Sequence, residues 1–318
     1  MTSVLTARGV RRHYGRGKGL VRAVDGVDLD LDEGDVVGIV GESGSGKSTL
    51  ARILVGLDTP DQGSVQIAGV DWATARGDAR RRLCRVVQMV FQDPFSSLNP
   101  RQRVRDIVAE PMVIHDIGTR DSRRRDVLRL LNRVGLSPDA ADRYPHQFSG
   151  GQRQRIAIAR ALALKPRVIV ADEPVSALDV SVQAQIVNLL ADLRDEMKLA
   201  MVFVSHDLGV VRFLADRVMV MYRGRVVETG PTDAVLAQPL HPYTQLLCES
   251  ARPIRPVAPG TGGGVRAPGA PAGPGDETTS GCAFAPRCSW AEPSCVQAVP
   301  PLVTQSPGRQ SACPIRGY

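Results

Sequence analysis

The nine residues "GESGSGKST", Gly41 to Thr49, constrain this chain more than any other stretch. They fit the pattern G-x-x-x-x-G-K-[ST]. They directly follow the apolar run "VVGIV" and lead into "TLARILVGL". A strand that turns through glycines into a helix is the context this pattern requires. Gly41, Gly44 and Gly46 let the backbone fold tightly, so that its N–H groups surround phosphate oxygens. The helix N-terminus adds a favourable dipole. Lys47 is placed to reach β- and γ-phosphates and Ser48 to ligate Mg²⁺, with Glu42, Ser43, Ser45 and Thr49 completing the loop around the nucleotide. The alternative is a plain glycine-rich turn before a helix. Strand, motif and helix falling in register argue against it.

A loop of this kind belongs to an α/β fold, and the rest of the chain agrees. "DVVGIV" (35–40), "RVVQMVF" (85–91), "RVIVAD" (167–172), "AMVFVS" (200–205) and "RVMVMY" (217–222) are short, β-branched-rich and apolar at nearly every position. Strands covered on both faces of a parallel sheet read this way. "SVQAQIVNLLADLRDEM" (181–197) sets Val182, Ile186, Leu189, Leu190, Leu193 and Met197 on one helical face. Between about 95 and 165 the strand signal disappears, which predicts a helical insertion. Residues 253–280 are dominated by Pro, Gly and Ala and cannot bury enough surface to offset their ordering entropy, so a mobile linker is expected there. A cysteine-containing segment, 281–318, lies beyond it. The expected domains are therefore 1–252, the linker, and a small C-terminal module.

Two more stretches carry chemistry. "RVIVADEP" ends an apolar strand with Asp172 and Glu173. Asp172 is placed to hold Mg²⁺ through water and Glu173 to polarise an attacking water. Two acids capping a turn would be the plainer reading, were it not for the phosphate loop in the same chain. "FSGGQRQRIAIARALA" (148–163) opens with Ser149, Gly150, Gly151 and Gln152 and runs into a helix. Ser is a good N-cap, and the glycines expose backbone N–H groups. This is a second anion-binding helix end. One nucleotide needs one cradle, so the second is expected to serve a nucleotide held by another subunit.

Taken together, these residues resemble the nucleotide-binding subunits of ABC transporters. "FSGGQ" is similar to the family signature, with Phe148 where Leu is commoner. The resemblance implies a RecA-like P-loop core with an antiparallel β subdomain and a helical subdomain. It implies roles for Gln92 in "VFQDP" as the Q-loop residue near Mg²⁺ and the attacking water, for Asp179 in "SALD" as part of the D-loop, for His206 in "FVSHDL" as the γ-phosphate switch, and for Tyr14 as the aromatic that stacks on adenine. "FQDPFSSLNPR" (91–101), "PLHPYTQLL" (239–247) and the cysteine-containing C-terminus look like the oligopeptide/dipeptide importer branch. Membership implies ATP hydrolysis driving peptide import, with nickel or another small solute as the alternative cargo. It implies a second ATP-binding subunit, a distinct paralogue, facing this one head to tail. It implies two membrane permeases, an extracytoplasmic binding protein, and a peripheral place on the cytoplasmic face of the membrane. A rival class, ABC ATPases that act on ribosomes or DNA, usually carries paired ATPase domains or long coiled coils, and neither is visible.

The charge balance adds little. The net charge is +7, with only four lysines, Lys18, Lys47, Lys165 and Lys198. The runs Arg80–Arg82 and Arg123–Arg125 lack the interleaved aromatics of a single-strand binder. No nucleic-acid partner is expected. No run approaches the length of a spanning helix, and the N-terminus shows no secretory h-region.

Cys282, Cys288, Cys295 and Cys313 follow the pattern C-x5-C-x6-C-x17-C. A disulfide framework fits a reducing compartment poorly. Zinc accepts four thiolates but usually with tighter pairs. Iron–sulfur clusters tolerate more varied spacing. Four free thiols remain an equal alternative on spacing alone. The importer-branch resemblance implies a [4Fe–4S] cluster of structural or regulatory role.

Overall fold

The computed structural model describes residues 3–251 and 280–315. The linker expected at 253–280 lies, apart from Ser280, outside the described residues.

Strands β1 (Ser3–Tyr14) and β2 (Val21–Asp32) pair antiparallel. Strand β3 (Val36–Val40) passes through the glycine loop into α1 (Lys47–Leu54). Strands β4 (Gln62–Ile67) and β5 (Val70–Asp71) complete a four-stranded antiparallel sheet of order β2-β1-β4-β5. Helix α2 (Gly77–Val86) leads to β6 (Val87–Val90). Helices α3 (Pro94–Ser97), α4 (Val104–Ile114), α5 (Arg120–Arg133) and α6 (Gly150–Leu162) follow. No strand interrupts them among the described residues. The chain then returns through β7 (Val168–Asp172), α7 (Val180–Met197), β8 (Ala200–Val204), α8 (Leu208–Leu214), β9 (Arg217–Tyr222) and β10 (Arg225–Pro231). Helices α9 (Thr232–Ala237) and α10 (Pro242–Ser250) close this part. The tail contributes α11 (Ser294–Gln297), β11 (Val303–Ser306) and β12 (Arg309–Ser311).

The second sheet has the order β11-β12-β10-β9-β3-β8-β7-β6. Its strands β9, β3, β8, β7 and β6 are parallel. These are the five apolar runs of the sequence. Alternate residues feed two separate cores. Val36, Ile169, Met201, Phe203 and Val218 pack on the helical side. Val37, Ile39, Val168, Val202 and Met219 pack against the antiparallel sheet. Each strand is therefore apolar at nearly every position, because both of its faces are largely dry. Each large side chain so buried contributes roughly 1.5–3 kcal/mol.

Parallel pairing also places function. The loops after β3, β6, β7 and β8 all leave the sheet at the carboxyl edge, where open α/β sheets bind ligands. The glycine loop, Gln92, Asp172–Glu173 and His206 follow these four strands.

The C-terminal tail is built onto the larger unit. Strand β12 pairs antiparallel with β10, with Glu228 opposite Ser311, and thus extends the main sheet. The fully buried Glu228 carboxylate pairs with Arg309 at 3.0 Å. Phe284 and Ala285 are buried. The tail borrows the core of the larger unit.

Candidate functional site

The glycine loop is tightly built. Gly41 sits at φ +155°, and a Cβ there would lie 2.2 Å from the Met221 carbonyl oxygen. At Gly46, φ +102°, a Cβ would lie 1.9 Å from the Ala23 carbonyl oxygen. Neither position admits a side chain. Lys47 caps its own loop: Nζ donates to the carbonyls of Gly41 at 2.8 Å and Glu42 at 2.9 Å. Burial pushes its pKa down, while Glu173, Asp172 and Glu42 pull it back up. Ser45 is buried, and its hydroxyl has no hydrogen-bond partner. An orphaned hydroxyl in a cradle of this kind fits an anion that supplies the missing partner. Glu42, Ser43, Gly44 and Thr49 complete the turn between β3 and the first turn of α1.

Ser48 and Asp172 meet as the sequence anticipates, with Ser48 Oγ donating to Asp172 Oδ1 at 2.9 Å. Burial pushes the Asp172 carboxyl up, and the Ser48 hydrogen bond opposes this. A hydroxyl beside a buried carboxylate next to a phosphate cradle fits a hard divalent cation. Gln92 stands one step away. Its Nε2 donates to Glu173 Oε2 at 3.0 Å and to Ser176 Oγ at 3.4 Å. His206 Nδ1 approaches the same Glu173 oxygen at 3.4 Å. Glu173 itself has φ +44°, in the left-handed region that side chains avoid. Its N–H donates to the Val204 carbonyl at 3.0 Å. The four strand ends thus bring Lys47, Ser48, Gln92, Asp172, Glu173 and His206 into one constellation.

Ser149 forms a reciprocal cap on α6: its Oγ accepts from Gln152 N–H at 3.4 Å, and Gln152 Oε1 accepts from Ser149 N–H at 3.1 Å. A Cβ at Gly151 would lie 2.3 Å from Val182 Cγ1, and one at Gly150 3.2 Å from Leu178. The glycines therefore let α6 lie close to the turn before α7, where Asp179 is the N-cap residue. Phe148 is buried, with the Arg143 guanidinium 4.3 Å from its ring centre. Among the described residues no hydrogen bond or ion pair joins 149–152 to the loop at 41–49. Tyr14 is half exposed. Its hydroxyl donates to Asp58 at 2.5 Å, and the Arg12 guanidinium lies 4.8 Å from its ring centre.

Comparison with known proteins accounts for this arrangement. The ABC transporter family description matches residues 24–176, and that of the oligopeptide/dipeptide transporter C-terminal region matches 227–295. A di/tripeptide transport ATP-binding protein of Pseudomonas aeruginosa is 49% identical, across 98% of this chain and 98% of that protein. This chain belongs to the ABC transporter ATP-binding subunits. A dipeptide transport ATP-binding protein of Haemophilus influenzae is 43% identical, over 98% and 96% of the two chains. The fold of this ABC ATPase matches a dimeric ATP-binding cassette in a post-hydrolysis state bound to ADP and phosphate, with TM-score 0.66 and 34% identity over 72% of this chain and 98% of that one. This subunit is an ATPase that works with membrane permeases. Among its described residues no helix is long and apolar enough to cross a membrane.

The cysteine pattern fares differently. Cys295 and Cys313 are buried, Cys282 and Cys288 half-buried, and no disulfide joins any of them. Cys282 N–H donates to the Cys295 carbonyl at 2.7 Å. Burial pushes the Cys282 thiol up, and Cys295 and Cys288 are near enough to push it further. The donor chemistry suits iron or zinc. Even so, among the described residues no three His, Cys, Asp or Glu side chains converge to hold a metal. As placed, the thiols do not fit a cluster.

Sequence reasoning placed Ser176 in the D-loop stretch 176–179 without its contacts, and missed Tyr243 and Arg287. Ser176 accepts from Gln92 and donates to the Glu173 carbonyl at 3.1 Å. Tyr243 accepts from Glu42 N–H at 2.7 Å. Arg287 meets the Glu42 carboxylate. Tyr243 lies in "PLHPYTQLL", a stretch that marks the branch without revealing where it packs.

Proposed function

We propose that this subunit hydrolyses ATP to power import of di- and oligopeptides, paired head to tail with a distinct ATP-binding paralogue beneath two permeases on the cytoplasmic face of the membrane. The observation that carries the catalytic reading is the convergence of Gln92 and His206 on one oxygen of Glu173, beside the Ser48–Asp172 pair. Phosphoryl transfer asks for positioning and charge neutralisation more than for covalent chemistry. Lys47 neutralises the β- and γ-phosphates, and the loop N–H groups hold them in line. Ser48, Asp172 and Gln92 would hold Mg²⁺, which supplies further neutralisation when bound. Glu173 orients the attacking water and accepts its proton, with His206 and Gln92 fixing the carboxylate. Tyr14 stacks on adenine after releasing Asp58 or along its open ring face. Ser149, Gly150, Gly151 and Gln152, with Asp179, act on the nucleotide of the facing subunit.

The peptide cargo is supported by the names of the relatives and by the C-terminal match. Its test uses the chain assembled with its permeases and paralogue in lipid vesicles. Binding protein loaded with a dipeptide should accelerate ATP hydrolysis. Acceleration by nickel-loaded binding protein alone overturns the cargo. The paralogue pairing has its own test. Glu173→Gln protein alone should stay monomeric in ATP, and self-association would overturn the distinct partner. For the tail, the number and donor chemistry of the four thiols support a [4Fe–4S] reading that requires them to draw closer together than they lie here. Protein purified without oxygen should carry about four irons and as much sulfide per chain. Metal-free protein overturns that reading.

A further inference from the structure

The tail reaches the nucleotide loop directly. Arg287 Nη1 donates to Glu42 Oε2 at 2.9 Å, and Nη2 donates to Glu42 Oε1 at 3.1 Å. This fork-to-fork geometry is the strong form of the ion pair. The Arg287 side chain is only 11% exposed, whereas the Glu42 side chain is 41% exposed. Nη1 also reaches Tyr222 Oη at 3.4 Å. Three residues earlier, the buried Phe284 packs on Tyr222 and Tyr243, with ring centres 5.4 and 5.5 Å away. Tyr243 is fully buried and accepts the Glu42 N–H. Lys47 holds the Glu42 carbonyl. Glu42 is thus held at its amide by Tyr243, at its carbonyl by the catalytic lysine, and at its carboxylate by the tail.

Glu42 is the second residue of a loop that cradles phosphate, and a bare carboxylate there would repel the polyphosphate it adjoins. A side chain that neutralises this carboxylate and fixes its direction serves ATP binding without touching ATP. We propose that Arg287 is a positioning residue of the nucleotide site: it pins and neutralises Glu42, so that the C-terminal tail is a working part of the phosphate loop. This rests on the nucleotide-binding reading of residues 41–49. It assigns to the tail a role that requires no metal.

The test measures the affinity of the full chain for a fluorescent ATP analogue at fixed Mg²⁺, with Lys47→Ala as the control. Arg287→Ala should weaken binding about tenfold, the equivalent of roughly 1.4 kcal/mol. Arg287→Lys, which keeps the charge and loses the fork, should fall between. Adding Glu42→Gln to Arg287→Ala should restore most of the affinity, because the uncompensated carboxylate is then gone. Such non-additivity is the mark of a direct coupling. A purely structural tie would lower the melting temperature and leave affinity unmoved. Arg287→Ala with wild-type affinity overturns the proposal, and so does a loss that Glu42→Gln fails to reverse. If Arg287→Ala does not fold, Arg287→Lys with and without Glu42→Gln gives the same comparison. If wild type and Lys47→Ala bind alike, the nucleotide reading itself fails. If they differ and Arg287→Ala matches wild type, only the role of Arg287 fails.

Discussion

At the scale of residues, the proposed chemistry turns on Glu173. It occupies a left-handed backbone position that typically costs a non-glycine residue on the order of 1–2 kcal/mol. Strain of this kind persists where surrounding contacts enforce it. Here the Val204 carbonyl, Gln92 and His206 enforce it. Replacing Glu173 by Gln keeps the shape and removes the proposed proton acceptor. We expect kcat to fall between about 10²- and 10⁴-fold, with ATP affinity within roughly threefold of wild type on the uniform-binding argument. Near-normal turnover would remove Glu173 from its role. Lys47→Ala should instead lose binding, since the ammonium that now sits on the Gly41 and Glu42 carbonyls would no longer reach phosphate. Titration with ATP separates the two variants. Residues at fixed motif offsets, such as Lys47 and Ser48, were legible because the chemistry dictates the spacing. Tyr243 and Arg287 were not, because their role comes from long-range packing that no local pattern encodes.

At the scale of elements, the five parallel strands were legible as apolar runs because both of their faces are buried. The antiparallel sheet was read only through the resemblance, although "VDLDLD" in β2 alternates apolar and acidic residues. Val27, Leu29 and Leu31 of that strand are buried, and Asp28 and Asp30 are exposed. Period-two alternation was the available signal. The hairpin of β11 and β12 also had one, in the turn at Pro307 and Gly308. Helix α10 shows what local reading cannot supply. His241 is its N-cap, and its Nδ1 accepts from Tyr243 N–H at 3.1 Å. It is 1% exposed, and burial pushes its pKa down to about 4. Among the described residues, Glu228, whose carboxylate accepts the His241 N–H at 2.8 Å, and Arg309, which pairs with Glu228, stand beside it. Unfolded, the imidazole takes up a proton near pH 6.5. Between about pH 6.5 and 4 the unfolded chain therefore binds one proton more than the folded chain, and stability falls as pH falls. The contribution at stake is at most on the order of 3 kcal/mol. Denaturant unfolding at several pH values should show this slope. His241→Asn retains an N-cap acceptor and should flatten it, whereas an unchanged slope would place the titration elsewhere.

At the scale of the whole molecule, the two glycine-rich helix ends of one chain are left apart. The loop at 41–49 opens at the carboxyl edge of the parallel strands, and Ser149 caps α6 in the helical insertion. Nothing among the described residues bonds one to the other, as the proposed head-to-tail pairing requires. This separation makes a prediction that a single-site enzyme would not share. In a Glu173→Gln background, Ser149→Arg should leave the affinity of the isolated chain for ATP within about twofold, because the chain's own nucleotide rests on its own loop. The same substitution should abolish ATP-dependent association with the partner ATPase, because a bulky cation then fills the cap that faces the partner's γ-phosphate. Lys47→Ala should lose ATP affinity in the isolated chain as well. Sedimentation of the mixed subunits, with and without ATP, reads the association, and titration of the isolated chain reads the affinity. Loss of ATP affinity in isolated Ser149→Arg protein would show that the cap serves its own loop, and the head-to-tail pair would then have to be abandoned. The tail belongs to the same balance. It docks through β12 on β10 and through Arg287 on Glu42 of the phosphate loop. In the proposed pair, a loop already held in its binding geometry favours association, since the ordering entropy is then spent in folding and not in the encounter.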